Sequence, residues 1–190
     1  MKKLLVIDNY DSFTYNLVHI IREHGGFEIT VLRNDEILPE EAAGYDRIVF
    51  SPGPGIPDEA GYMKEIIRQY TSSVKMLGVC LGMQAIGEVF GGHLTNLETV
   101  YHGVATSIYK TEVKDPILNN IPDSFMAGRY HSWVVDETNF PQELDITSRD
   151  EEGKIMSVKH KTLPIFGLQF HPESVLTENG KMMLFNFLNL

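Results

Sequence analysis

The stretch Lys75-Met76-Leu77-Gly78-Val79-Cys80-Leu81-Gly82-Met83-Gln84 passes from a short apolar run into a glycine-flanked cysteine and then into a second apolar segment. Lys75 to Val79 has the length and composition of a buried strand. Gly78-Val79-Cys80-Leu81-Gly82 has the Gly-x-nucleophile-x-Gly form of a nucleophile elbow, the turn that carries a strand directly into a helix. So sharp a turn strains the backbone of its central residue and crowds the positions two residues to either side, which favours glycine there. It also leaves Cys80 at a helix N-terminus, where unpaired N–H groups and the helix dipole favour negative charge.

Outward from this elbow the same alternation repeats. Lys3 to Asp8, Ile29 to Leu32 and Arg47 to Ser51 read as strands. Helices are expected from about Ser12 to His24, with Leu17, Val18, Ile20 and Ile21 as an apolar stripe, and from about Glu59 to Tyr70, with Met63, Ile66, Ile67 and Tyr70 as another. Strands alternating with helices of this length imply an α/β fold: an open, mostly parallel sheet with helices on both faces. Beyond Gly91-Gly92 the texture becomes β-branched and aromatic. Val104 to Tyr109, Trp133 to Val135, Leu144 to Ser148, Ile155 to Lys159 and Pro164 to Phe170 predict a smaller, partly antiparallel β portion in the C-terminal half, closed by a helix from about Asn179 to Leu188. No repeat or linker interrupts the chain, and residues 1–190 are expected to form one domain.

The bulk properties exclude several classes. A chain of 190 residues is large enough to bury about two thirds of its unfolded surface without a disulfide or metal staple. A formal charge of -10 and a pI near 5.1 oppose nucleic-acid binding, which depends on cations facing phosphates. The apolar runs fall far short of the roughly 20 residues of a spanning helix, and a strand-like segment stands where a signal peptide would be. A cytoplasmic location, with no membrane partner, is the expectation. Cys80 is the one cysteine, so it is either a small buried hydrophobe or a reactive thiol.

A reactive thiol needs a base. Of seven histidines, His19, His24, His93, His102 and His160 stand in helix, turn or strand contexts with no acid at a telling spacing. His171 follows the strand ending at Phe170 and precedes Pro172, whose ring favours an extended residue before it. In an extended His-Pro-Glu segment the first and third side chains share a side, so Glu173 is expected to hold one ring nitrogen of His171 while the other faces the thiol. That is the logic of a Cys-His-acid triad, in which a carboxylate fixes the tautomer of the activating histidine. Ser51-Pro52-Gly53-Pro54-Gly55 leaves another strand end. It lacks the Lys-Ser/Thr ending of a phosphate-binding loop, and in an open parallel sheet it should meet the crevice beside Cys80. A backbone N–H there would join that of Leu81 in stabilising an oxyanion.

Gly78 to Gln84, with Ser51-Pro52-Gly53-Pro54-Gly55 before it and Gln169-Phe170-His171-Pro172-Glu173-Ser174 after it, resembles the class I, triad-type glutamine amidotransferases in order and spacing. The resemblance implies Cys80 as nucleophile, His171 as general base and acid, Glu173 as orienting carboxylate, and Gly53 and Leu81 as oxyanion donors. It implies a glutamine site formed by Gly53, Pro54, Gly55, Gln84, Ser132 and Trp133, the last two through their backbone in Arg129-Tyr130-His131-Ser132-Trp133. Within that family, Asp8-Asn9-Tyr10-Asp11-Ser12-Phe13-Thr14-Tyr15-Asn16-Leu17 is similar to the opening of the glutaminase components of anthranilate synthase and aminodeoxychorismate synthase. Trp133 stands where many members carry leucine, a departure that bears on side-chain packing and leans towards anthranilate.

What this implies is hydrolysis of glutamine through a thioester and delivery of ammonia to a chorismate-using synthase subunit along a sheltered path, because ammonia in bulk water is protonated. No metal-ligand spacing is visible, and neither a metal nor a cofactor is expected of this chain. Two other functions use the same residues differently. A γ-glutamyl hydrolase or peptidase would act without a partner, and a catalytically idle subunit would only regulate one.

Overall fold

The computed structural model describes residues 1–190. Leu4, Leu5, Val6 and Ile7 are all fully buried in β1 (Lys2–Asp8), the signature of a strand covered on both faces. β1 lies between β2 (Phe27–Arg33) and β3 (Arg47–Phe50); β4 (Lys75–Val79) and β11 (Ile165–Leu168) continue the parallel ladder. The period-2 alternation divides the core. Leu4, Val6, Val49, Leu77 and Val79 meet α1 (Thr14–His24) and α4 (Gly180–Asn189) on one face. Leu5, Ile7, Ile48, Phe50 and Met76 meet α2 (Met63–Tyr70) and α3 (Leu81–Val89) on the other. Each strand thus feeds two cores of similar size, and the helices cover both faces as the sequence pattern requires.

The antiparallel portion is larger and more continuous than expected. β10 (Ile155–His160), β9 (Leu144–Asp150), β6 (Val104–Lys110) and β7 (Ser124–Arg129) extend the same sheet beyond β11, giving nine strands in the order β2-β1-β3-β4-β11-β10-β9-β6-β7. Only β5 (Leu94–Asn96) and β8 (Trp133–Val135) stand apart, as a two-stranded sheet. β5 and β7 have no counterpart in the sequence reading. Gly128, Ala127 and Ser124 weaken the strand signal of β7, and three-residue β5 is too short to carry one.

A second correction concerns α2, which begins at Met63 rather than near Glu59. A short 3-10 turn occupies Pro57–Glu59, and Gly61 at φ +52 breaks the helical path against the Asn34 backbone. None of the helices is long and apolar enough to cross a membrane.

Register sets the site. Ile7 pairs with Phe50, Phe50 with Gly78 and Val79 with Leu168. The C-terminal ends of β1, β3, β4 and β11 are therefore level, and Asn9, Ser51, Cys80 and Gln169 leave them at one edge. That edge is where open α/β sheets hold their ligands.

Candidate active site

Cys80 sits between β4 and α3 at φ 52, ψ -103, a conformation disfavoured for any residue with a side chain. The elbow glycines have separate reasons. A Cβ on Gly78 would enter the Gly82 carbonyl, and one on Gly82 would lie 2.6 Å from the Phe50 oxygen. The turn is tight enough to exclude both. Leu81 is the first residue of α3, and its N–H has no acceptor inside the helix.

The Ser51–Gly55 loop is tied to the end of β1. Asn9 Nδ2 donates to the Ser51 carbonyl at 2.7 Å, and the Asn9 N–H donates to Ser51 Oγ at 2.9 Å. Asn34 Nδ2 donates in turn to Asn9 Oδ1 at 3.0 Å. These buried amides hold Gly53 so close to β1 and α3 that an added Cβ would meet the Asn9 oxygen at 2.5 Å and Leu81 Cδ2 at 2.9 Å. The N–H groups of Gly53 and Leu81 both lack a backbone acceptor, and they belong to adjoining residues.

His171 Nδ1 and Glu173 Oε1 are 2.7 Å apart, and both side chains are buried. The route differs from the extended tripeptide expected. Ser174 N–H donates to the His171 carbonyl at 3.2 Å, so His171 to Ser174 form a turn with proline at its second position, where proline is favoured. The turn, not a strand-like alternation, brings imidazole and carboxylate together. The second ring nitrogen, Nε2, is buried without a conventional hydrogen bond. Burial opposes charge on this ring, but the neighbouring Cys80 sulfur and the hydrogen-bonded Glu173 carboxylate outweigh it and push His171 up to about 10. The ring is therefore held towards its protonated form.

A hollow of about 150 Å³ opens at the elbow, lined by Gly53, Pro54, Gly55, Cys80, Gln84, Tyr130, His131, Ser132 and Trp133. All six residues expected to hold glutamine are in that lining. Leu81, His171 and Glu173 are not part of that lining. Hollows of about 440 and 410 Å³ over the antiparallel half are larger, but they are lined by Arg149 and Glu151, or Thr95 and Glu98, with neither a thiol nor a paired histidine. Size is a poor guide here, and chemistry decides.

Several neighbours were not singled out from the sequence. Tyr130 and Phe13 pack their rings on His171 at 4.7 and 5.8 Å. Asp11 is raised by burial, against the pull of its hydrogen bond from the Phe13 N–H and of His171, and Glu173 and Asp8 add to the rise. Gln169, fully buried, donates from Nε2 to Cys80 Sγ at 3.5 Å. His131 is pushed down to about 3 by burial and by the Arg129 charge. Phe13, Asp11 and Gln169 lay inside quoted motifs, yet only the fold reveals which of their atoms reach the site.

Residues 5–190 match the family model for Glutamine amidotransferase class-I. The bifunctional protein TrpGD of Thermotoga maritima is 46% identical over the whole chain, which spans 32% of that protein's length. Anthranilate synthase component 2 of Azospirillum brasilense is 45% identical, with 98% of this chain and 95% of the relative covered. The aminodeoxychorismate/anthranilate synthase component 2 of Bacillus subtilis is 44% identical, with 97% and 95% covered. Among solved structures, a glutamine amidotransferase from Thermotoga maritima superposes with a TM-score of 0.79 at 18% identity, covering 90% of this chain and 76% of its own, a likeness of fold alone. With the family's model matched over residues 5–190, and two relatives 45% and 44% identical over 95% of their own length, the chain belongs to the class-I glutamine amidotransferases.

Proposed function

We propose that this enzyme hydrolyses L-glutamine and passes the ammonia to a chorismate-using synthase subunit, most directly that of anthranilate synthase. In this reading Cys80 is the nucleophile, His171 the base and acid, and Glu173 the carboxylate that orients it. The observation that carries the chemistry is a buried His171–Glu173 pair beside a cysteine strained at φ 52. Cys80 Sγ attacks the side-chain amide carbon of glutamine, and the negative charge moves to the carbonyl oxygen. The N–H groups of Gly53 and Leu81 receive it, an arrangement commonly worth about 10² to 10³ in rate. His171 gives its proton to the departing nitrogen, which leaves as ammonia, and a thioester remains. Water, losing a proton to His171, cleaves the thioester to glutamate and restores the thiol.

Gly53, Pro54, Gly55, Gln84, Ser132 and Trp133 form the glutamine site in this reading, which their shared lining of the hollow supports. The chain acts as one domain in the cytoplasm, and its partner performs the chemistry on chorismate. The relatives named component 2 support that division of labour. The Bacillus subtilis relative, named for both synthases, supports aminodeoxychorismate as a second product line.

The test is glutamine hydrolysis by the purified chain, alone and with each synthase subunit in the presence of chorismate. A rise in hydrolysis with one subunit, together with the aromatic amine, is expected. Turnover of γ-glutamyl peptides by the chain alone, with indifference to both subunits, would instead mark a hydrolase. Cys80→Ser should abolish glutamine-dependent synthesis in the complex and spare synthesis fed by ammonium salts; loss of both would refute the division of labour.

A further inference from the structure

The Cys80 sulfur has a second neighbour besides His171. We propose that Gln169 is a dedicated hydrogen-bond donor to the Cys80 sulfur, locked in the donating orientation by a one-way chain of hydrogen bonds that begins at Arg129. This rests on the reading of Cys80 as the nucleophile.

The direction follows from chemistry. Arg129 is buried, its Nη1 paired with Asp150 Oδ2 at 2.8 Å. A guanidinium only donates. Its Nε lies 3.1 Å from His131 Nε2, so that ring nitrogen is the acceptor and the ring's proton is on Nδ1. Nδ1 is 3.0 Å from the Trp133 carbonyl, which only accepts. The same carbonyl takes a second bond from Gln84 Nε2 at 2.9 Å, and this fixes which end of the Gln84 amide is nitrogen. Gln84 Nε2 also faces Gln169 Oε1 at 3.2 Å. Gln169 must then turn its Nε2 to Cys80 Sγ, 3.5 Å away. No member of the chain can flip without setting two donors or two acceptors against each other.

The sulfur thus lies between an imidazole and a buried amide N–H. A fixed donor strengthens as charge gathers on its acceptor. Gln169 therefore stabilises the thiolate both in the resting enzyme and when the thioester breaks. Its nitrogen is fully buried, so water cannot substitute for it.

Cys80 is the one cysteine, which makes its alkylation by iodoacetamide a site-specific readout. The rate would be followed against pH in the wild type, Gln169→Met and Gln169→Glu, with thermal unfolding as a check on folding and with glutaminase kcat and KM measured in the synthase complex. Gln169→Met removes the donor at similar length. Its alkylation midpoint should rise by about one pH unit, a roughly tenfold loss of reactive thiol at a fixed lower pH. kcat should fall with little change in KM. Gln169→Glu, which sets a carboxylate oxygen against the sulfur, should move the midpoint further in the same direction. Where the buried charge of Gln169→Glu prevents folding, Gln169→Met decides by itself. A folded Gln169→Met with an unmoved midpoint and wild-type kcat, in an enzyme that hydrolyses glutamine, overturns the second donor alone. A wild-type complex without glutaminase activity would instead remove the nucleophile reading on which it stands.

Discussion

Two histidines near the Cys80 elbow are shifted in opposite senses. An imidazole in the unfolded chain titrates near 6.5. His171 is held up to about 10 by Cys80 and Glu173 despite burial. The unfolded chain loses that proton first, so the stability it contributes is whole below about 6.5, erodes as pH rises, and is gone above about 10. His131, pushed down to about 3 by burial and Arg129, works the other way. Its contribution is present above about 6.5 and is lost as pH falls towards 3. The combined contribution of the two is therefore greatest near the ordinary imidazole value. Denaturant midpoints of the wild type and His171→Gln should converge as pH is raised from 6.5 to 10; a gap that stays constant across that range would mean His171 keeps no extra proton in the fold. Proton NMR of the ring hydrogens offers an independent check, with His131 silent between pH 8 and 4. Gly180 makes a different kind of prediction. A Cβ there would occupy the Pro172 carbonyl oxygen, so Gly180→Ala must displace the turn that joins His171 to Glu173. Overpacking of this sort costs about 1–3 kcal/mol, and the loss of kcat should exceed what the fall in Tm implies, because the His171–Glu173 pair is the part that moves.

At the scale of elements, legibility in the sequence tracked how locally each element is specified. β1, β3 and β4 are short apolar runs bounded by turn residues, and their buried faces make the pattern plain. α1 and α2 carry stripes at helical spacing that the structure buries against the sheet, at Leu17, Val18 and Ile21 and at Met63, Ile66, Ile67 and Tyr70. β7 was illegible for a tertiary reason. Gly128 is required because the segment carrying Ser174 and Leu176 packs directly on it, with Ser174 Oγ at 2.9 Å from an added Cβ, and that same glycine weakens the strand signal. The site divides likewise. The elbow and the His-Pro-Glu run are contiguous motifs, whereas Gln169, His131 and Asp11 acquire their meaning from which atoms the crossing of distant elements brings within reach. Gly82→Ala tests the elbow as an element: its Cβ would press on the Phe50 backbone at 2.6 Å, shifting α3 off β3. It should lower both stability and the alkylation rate of Cys80, and a stable variant with a fully reactive thiol would argue against the tightness described.

Over the whole molecule, one sheet joins a parallel half covered by helices to an antiparallel half, and the seam between them is β11. The pair Arg129–Asp150 anchors the antiparallel side, linking β7 to the end of β9 with side chains 1% and 3% exposed. Breaking such a pair leaves one buried charge uncompensated, at a cost of about 3–5 kcal/mol. Asp150→Asn should destabilise by that order in denaturant unfolding; a change below about 1 kcal/mol would mean that water reaches the guanidinium. β11 is the last strand in chain order, yet it lies between β4 and β10. Translation proceeds from the N-terminus, so Cys80 is made long before His171 and Glu173. Until β11 inserts, β4 and β10 offer open edges, and the thiol has no His171 beside it. A ribosome-stalled chain ending before Ile165 should ignore a glutamine-like electrophile that labels the released protein. Cys80 thus gains its neighbouring imidazole only once the segment from Ile165 onward has been made, and a chain interrupted before it carries the elbow without its buried His171–Glu173 pair.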